Sequence, residues 1–289
     1  MKIILLGKSG QLGKEFENYL GKLEEVEIFS FSHSELDITN LDLLIKVFKD
    51  LTPDVVINCA AYTKVDLAEE EKDFAYRVNI IGAKNVSFAS NSVKSKVVLF
   101  STDYVFDGAK ERPYTELDAP NPISIYGMSK YFGEIMTKTY NPNHLILRIS
   151  WLYGAYGNNF IKTIIRKAKQ RENLKIVNDQ TGVPTYAYDV VLQTWKLLVK
   201  NQVGLFHSSN IGETNWFEFA KKVFELLKLN ANTQPISTDE YPSKAKRPKY
   251  SVLENYFLKI EGLNVMRNWE DALKDFIETH RKELLNRRS

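Results

Sequence analysis

Short apolar runs recur through the first half of the chain at the interval expected when strands alternate with helices. Ile3 to Leu6, Val26 to Phe31, Asp54 to Asn58, Lys96 to Phe100 and Leu145 to Ile149 are the runs. Runs of this kind suit strands buried on both faces, as in a parallel sheet covered by helices. Amphipathic stretches fall between them, from Gln11 to about Leu20 and from Leu41 to Leu51. The alternation holds for about 150 residues and predicts an α/β fold built on a doubly wound parallel sheet. Beyond Trp151 it loosens into prolines, aromatics and short strands. The pattern predicts a main unit over 1–150 and a smaller C-terminal region over 151–289 that folds across the sheet's crevice. Segments near 189–207 are expected to return to the sheet. No repeat, low-complexity tract or long linker interrupts the chain.

A glycine-rich stretch, Gly7-Lys-Ser-Gly10-Gln-Leu-Gly13, lies between the first strand and the first helix. In that context Gly7 permits a tight turn, Gly10 admits a pyrophosphate close to the backbone, and Gly13 lets helix pack on strand. This is the Rossmann-type arrangement for a dinucleotide, although the spacing is GxxGxxG rather than GxGxxG. The end of the second strand offers Ser30, Ser32 and His33 and no acidic residue for ribose hydroxyls. NADPH is therefore expected over NADH, with NADH left open. Asp37 suits either the adenine end or a cap, and Thr39 or Asn40 suits the cap of the next helix better. Ala60 and Ala61, at the third strand's end, leave room for something bulky, and Thr63 and Val65 follow on a loop near its reactive end. Glu69 to Glu71 reads as the solvated start of a helix. Asn79, inside an amphipathic stretch, implies a specific hydrogen bond.

The chemistry centres on Tyr126-Gly-Met-Ser-Lys130. Of the 15 tyrosines only Tyr126 has a lysine four residues on, which puts phenol and ammonium on one face of a helix. A fixed cation beside the phenol is expected to stabilise the phenolate and bring proton transfer nearer neutrality. Thr102, emerging at the carboxyl end of the fourth strand, is placed to bond a reacting oxygen, or to form a turn.

The totals narrow the picture further. With 39 basic and 36 acidic residues interspersed, the net charge of +3 predicts no particular attraction to nucleic acid or membrane. A single cysteine, Cys59, rules out an internal disulfide framework. Four scattered histidines make a structural metal unexpected. The start of the chain lacks the pattern of a secretory signal, so the cytoplasm is expected. Arg247, in the basic cluster Lys244 to Lys249, has the fork to grip a diphosphate. Arg287 and Arg288 read as a mobile basic end.

Taken together, these motifs resemble the extended short-chain dehydrogenases/reductases. They are Gly7 to Gly13, Asn58-Cys-Ala-Ala-Tyr-Thr-x-Val-Asp66, Ser101-Thr-Asp-Tyr-Val-Phe-Asp-Gly108, Tyr126-x-x-x-Lys130 and Arg148-x-Ser-Trp151-x-Tyr153. Within that family the chain is similar to the sugar-nucleotide reductases. The likeness continues through Gly157-Asn-Asn-Phe160, Asn178-Asp-Gln180, Arg247-Pro-x-x-Ser251 and Trp269. It implies NAD(P)H-dependent reduction of the 4-keto group of dTDP-4-dehydro-L-rhamnose to dTDP-L-rhamnose. It implies that Gln11 and Leu12 join the glycines around the cofactor, with His33, Asp37 and Ile38 at the adenine end and Ala60, Ala61, Tyr62 and Thr63 along its length. Tyr126 would be the proton donor and Lys130 its partner and a ribose ligand. Thr63, Val65, Thr102, Asp103, Trp151 and Arg247 would meet the dTDP-sugar. A homodimer and a Mg2+ site involving Glu15 are implied by the resemblance alone. His33 stands where many relatives carry arginine, and Lys249-Tyr250 replaces smaller or polar residues. A dehydratase or epimerase of the same superfamily remains an alternative, although Tyr104 follows Asp103 where dehydratases place glutamate. So does a non-catalytic NADP-binding subunit resembling that of methionine adenosyltransferase.

Overall fold

The computed structural model describes residues 1–286; Arg287 and Arg288 lie outside the described residues. The first part of the chain alternates β1 (Lys2–Leu6), α1 (Gln11–Leu20), β2 (Glu27–Phe31), α2 (Leu41–Leu51) and β3 (Val55–Asn58). Short helices α3 (Val65–Ala68) and α4 (Lys72–Tyr76) lead through a π-helical turn, Arg77–Gly82, into α5 (Ala83–Ser92). Then come β4 (Lys96–Thr102), α6 (Ile125–Tyr140) and β5 (His144–Ile149).

The remainder is built of shorter pieces. These are β6 (Leu152–Tyr153), α7 (Phe160–Lys169), β7 (Leu174–Val177), β8 (Thr181–Gly182), β9 (Thr185–Tyr186), α8 (Ala187–Val199) and β10 (Gly204–His207). The chain ends with β11 (Thr214–Asn215), α9 (Trp216–Leu227), β12 (Thr233–Ile236), α10 (Tyr256–Ile260) and α11 (Trp269–Asn286).

Six strands form one sheet in the order β10-β5-β4-β3-β1-β2, every pairing parallel. Strand β1 shows why these sequences make this layer. Ile3 and Leu5 pack with Phe16 and Leu20 of α1 and Val190 and Leu197 of α8, while Ile4 and Leu6 pack with Leu44 and Phe48 of α2 and Val86 and Ala89 of α5. All four side chains are fully buried, each stabilising the fold by about 1.5–3 kcal/mol. The two-residue period thus fills two helical layers from one apolar run. The chain goes from β1 to β2 on one side and returns through β3 on the other, so the carboxyl ends of β1 and β3 border the crevice of a doubly wound sheet.

The turn from β1 to α1 needs its glycines. Gly7 has φ +80°, and a Cβ on it would stand 2.7 Å from the Ala60 nitrogen. One on Gly13 would stand 2.2 Å from the Gly7 carbonyl oxygen. A side chain at Gly7 would push the turn off the segment that follows β3, and one at Gly13 would push α1 off the end of β1.

The C-terminal pieces pair as three two-stranded sheets, β6 with β9, β7 with β12 and β8 with β11. Their core is aromatic: Tyr153 stacks on Tyr186 at 5.6 Å, and Phe219 and Phe276 close around them. Helix α8 packs in the same apolar layer as α1, and β10 is the sheet's edge strand beside β5.

Three local expectations are corrected. Strand β4 runs on through Ser101 and Thr102, and Val65 opens a short helix rather than lying on a loop. Glu69 to Glu71 is not simply solvated. Glu69 accepts from the Ile125 amide at the start of α6, Glu70 pairs with Lys244, and Glu71 accepts from the Tyr62 phenol.

Candidate active site

A cavity of about 580 Å3 opens over the carboxyl ends of the main sheet. One end of it is the glycine turn. Gly10 is the N-cap of α1, with no side chain capping the helix and no acidic residue in its first turn. The first-turn N–H groups, with Gln11 and Leu12 lining the cavity, form a donor set that suits a pyrophosphate. Gln11 also fastens this loop to the C-terminal region, donating to the Leu152 carbonyl at 3.1 Å and accepting from Asn159 at 2.8 Å. Ala60 and Ala61 form a small-residue wall beside it. The residues therefore fit a dinucleotide.

Gly7, Gly13, His33, Asp37, Ile38 and Tyr62, also assigned to the cofactor, lie outside this lining. Gly7 and Gly13 shape the turn. The Tyr62 backbone N–H and C=O bond the buried Asn79 amide at 2.9 and 3.0 Å, while its phenol turns to Glu71. Asn79 sits in the π-helical turn and also donates to Ser129, which accounts for an asparagine in mid-helix. Ile38 packs against Gly82, where a Cβ would stand 2.5 Å from it. Asp37 accepts from the Thr39 amide, and Asn40 caps α2. His33 is exposed, 3.7 Å from Asp37.

The end of β2 is also not free of acid. Glu35 folds back so that its carboxylate accepts from the Ser32 amide and hydroxyl, at 2.7 Å each, and pairs with Lys8 at 2.8 Å. The lysine and serine contacts hold that carboxyl down at about 2. It was missed because the acid lies four residues past the strand and returns only through the turn.

The centre of the cavity collects Thr102, Asp103, Tyr126 and Lys130. Ser124 caps α6 by accepting from the Gly127 amide at 3.1 Å, which sets Tyr126 in the first helical turn. Gly127 lets that turn lie against β4's continuation, since a Cβ on it would stand 2.2 Å from the Tyr104 carbonyl oxygen. The expected effect of Lys130 on Tyr126 is corrected. Burial raises the phenol to about 12, opposed by a hydrogen bond with Thr102. Burial also lowers the Lys130 ammonium to about 8, opposed by Glu134. The ammonium donates instead to the Phe100 carbonyl at 2.6 Å. Asp103 is buried, accepting from Thr102 at 3.0 Å and from Ser251 at 2.6 Å, and burial raises it to about 6. Cys59, which also lines the cavity, is pushed well above the usual thiol range by burial.

Thr63, Val65 and Trp151 complete the walls. Trp151 has φ +41°, an uncommon conformation for a bulky residue, and its ring lies over Gly182, where a Cβ would stand 2.5 Å away. It stacks face to face on Trp216 with centroids 3.6 Å apart. Trp216 is absent from the sequence reading; an aromatic at the first position of α9, next to the capping Asn215, is the signal the chain offers.

Trp216 also lines a second cavity of about 420 Å3 in the C-terminal region. Phe160, Ile164 and Val177 supply its apolar walls, and Lys167, Lys175 and Arg247 its cations. Arg247 does not point freely into it. Its guanidinium holds Asp66 at 2.8 and 3.1 Å, and that contact keeps the Asp66 carboxyl down at about 2.

The implied metal site gains no support from the geometry. Glu15 is buried on α1 with one carboxylate oxygen unpartnered, and burial raises it to about 7. Among the described residues no group of three His, Cys, Asp or Glu could hold a metal ion, and no helix is long and apolar enough to cross a membrane.

Comparison with known proteins agrees with this geometry. The family model of the RmlD substrate binding domain matches residues 1–282. A dTDP-4-dehydrorhamnose reductase of Aggregatibacter actinomycetemcomitans is 38% identical, covering 95% of this chain and 97% of its own length. Among solved structures, a dTDP-4-dehydrorhamnose reductase of Clostridium acetobutylicum is 43% identical with a TM-score of 0.95, over 97% of this chain and 100% of that one. One from Bacillus anthracis, in complex with NADP, is 45% identical with a TM-score of 0.93, over 96% and 99%.

Proposed function

The chain belongs to the RmlD substrate binding domain family, and from that premise we propose that it reduces the 4-keto group of dTDP-4-dehydro-L-rhamnose to dTDP-L-rhamnose, with NADPH as reductant. The observation that carries this reading is the meeting of Thr102, Tyr126 and Lys130 with the uncapped glycine turn in one cavity.

NADPH, when bound, supplies the hydride. The glycine turn and the N-terminus of α1 would hold its pyrophosphate, and the alanine wall would leave space for its length. Tyr126 donates the phenolic proton to the carbonyl oxygen as negative charge builds there. A phenol at about 12 keeps its proton until that moment, which suits a donor rather than a base. The Thr102 hydroxyl donates to the same oxygen, an interaction stronger in the transition state than in the ground state. Lys130, held by the Phe100 carbonyl, has further N–H donors that would meet the ribose hydroxyls, and its positive charge would stabilise the phenolate left on Tyr126. Trp151 and Thr63 bound the sugar, and the Trp216 side of the second cavity takes the nucleotide, with Arg247 available to the diphosphate. At the adenosine ribose Lys8 favours a 2'-phosphate while Glu35 disfavours it, so NADH is expected to serve as a weaker substitute.

Mixing the protein with NADPH and dTDP-4-dehydro-L-rhamnose tests the reading. Loss of NADPH absorbance matched one to one by dTDP-L-rhamnose is expected. Intact NADPH in the presence of bound sugar nucleotide would point to a dehydratase, an epimerase or a binding subunit instead.

A further inference from the structure

Behind the reacting groups lies a buried set of charges that the proposed reaction does not use. Glu134 stands one helical turn beyond Lys130 on α6, as Lys130 stands one turn beyond Tyr126, and it is fully buried. Its carboxylate accepts from the Ser101 hydroxyl and takes a two-pronged grip from Arg148, Nε at 2.9 Å and Nη2 at 2.7 Å. Ser101 and Arg148 are register partners on β4 and β5. The far side of Arg148 meets the Phe106 ring at 5.1 Å and the His207 Nε2 at 3.5 Å. His207 Nδ1 lies 3.1 and 3.0 Å from two carbonyl oxygens, of Tyr114 and Glu254. Two acceptors at Nδ1 place the ring proton there and turn the Nε2 lone pair toward Arg148. The imidazole is therefore neutral, and Glu134 is the carboxylate that this cluster presents to Lys130.

A buried ion pair is weak grounds for stability, since apolar residues of similar volume often serve as well. The placement of this one suggests a different use. Residues Phe100, Ser101 and Thr102 are consecutive on β4. Lys130 holds the Phe100 carbonyl and Glu134 holds the Ser101 hydroxyl, so α6 grips the strand at two successive residues immediately before Thr102.

On the functional reading above, we propose that Glu134 is a positioning residue for the reduction. It locks the strand end carrying Thr102 to the helix carrying Tyr126 and Lys130, and it supplies the negative charge that Lys130 faces from inside the fold. The other groups facing these two are Cys59 after β3, Lys138 on α6 and Arg148 on β5. Cys59 is protonated across the working range and the other two are cationic, so none replaces the charge of Glu134.

The variant E134Q separates this role from a merely structural one. Two readouts are taken on folded protein: the pH midpoint of Lys130 acetylation by acetic anhydride, read by mass spectrometry, and the pH profile of kcat at saturating NADPH. Both the Lys130 midpoint and the alkaline limb of kcat are expected to move down by about one pH unit. S101A keeps the Glu134–Arg148 pair and its charge. It should leave the Lys130 midpoint in place while kcat falls about fivefold, as expected for one lost positioning hydrogen bond. Should E134Q fail to fold, E134D keeps the charge on a shorter stem, and kcat should fall as in S101A with the Lys130 midpoint in place. An unmoved Lys130 midpoint in E134Q, or wild-type kcat in S101A or E134D, overturns the proposal. If the wild-type protein does not oxidise NADPH with this substrate, the functional reading fails. The labelling arm still decides whether Glu134 sets the charge on Lys130.

Discussion

The two cavities that meet at Trp216 are built on opposite plans. Over the main sheet, each reacting group is fixed by backbone and buried bonds: Thr102 by the register of β4, Tyr126 by the capped first turn of α6, and Lys130 by the Phe100 carbonyl. In the C-terminal region the walls are side chains, and one of its cations, Arg247, is tied to Asp66 across a partly exposed ion pair. On the proposed function, this chain keeps its rigidity where protons would move and leaves nucleotide binding to contacts that can be exchanged. Substitutions at the first site should therefore lower kcat, and those at the second should raise KM.

Tyr126→Phe gives the strongest test of that division. Removing the phenolic proton donor should lower kcat by roughly two to four powers of ten, with NADPH affinity measured by fluorescence little changed. A fall in affinity with kcat retained would place Tyr126 in binding and erase the contrast between the sites.

The same contrast governs what could be read from the residues alone. Helix α2 spans the residues its periodicity predicts because Asn40 caps it locally, and β1, β3 and β5 follow their apolar runs closely. Tyr126, Lys130 and Thr102 were legible because helix spacing and strand ends are local properties. Glu35, Glu134 and Trp216 were not, since each acquires its meaning from a partner distant in sequence or from a turn that reverses direction. Asp66 is the sharpest instance. Nothing near it in sequence foretells that residue 247 will neutralise it, 181 positions later.

Glu15 lies at the seam between the two plans, on α1 but close to Gly154, where a Cβ would stand 3.7 Å from its carboxylate. Its carboxyl is raised from 4.5 to about 7 by burial. Between those values the folded chain holds a proton that the unfolded chain has released. The stabilisation from this group is thus complete at the lower pH and disappears as pH rises through 7. Glu15→Gln removes the titration. At pH 8 it should be more stable by about 2 kcal/mol, a rise in Tm of roughly 3 °C, and at pH 4.5 the two proteins should melt together. Equal melting at both pH values would mean that the seam carries no proton-linked strain.

The smallest effects belong to the Arg247–Asp66 pair, and they test the exchangeable half of the contrast most directly. If Arg247 leaves Asp66 for the diphosphate, binding must break one charge-assisted contact to make another. Arg247→Ala should then raise KM for the sugar nucleotide about tenfold with kcat unchanged, since the reacting groups lie on other elements. Asp66→Asn keeps the shape of the pair but weakens its hold on the guanidinium. It should lower KM about two- to threefold at low salt, with the advantage shrinking as ionic strength rises. Steady-state kinetics on both variants at two salt concentrations distinguish the cases. A rise in KM for Asp66→Asn would show that the carboxylate holds Arg247 in its working position, and the second site would then be as preorganised as the first.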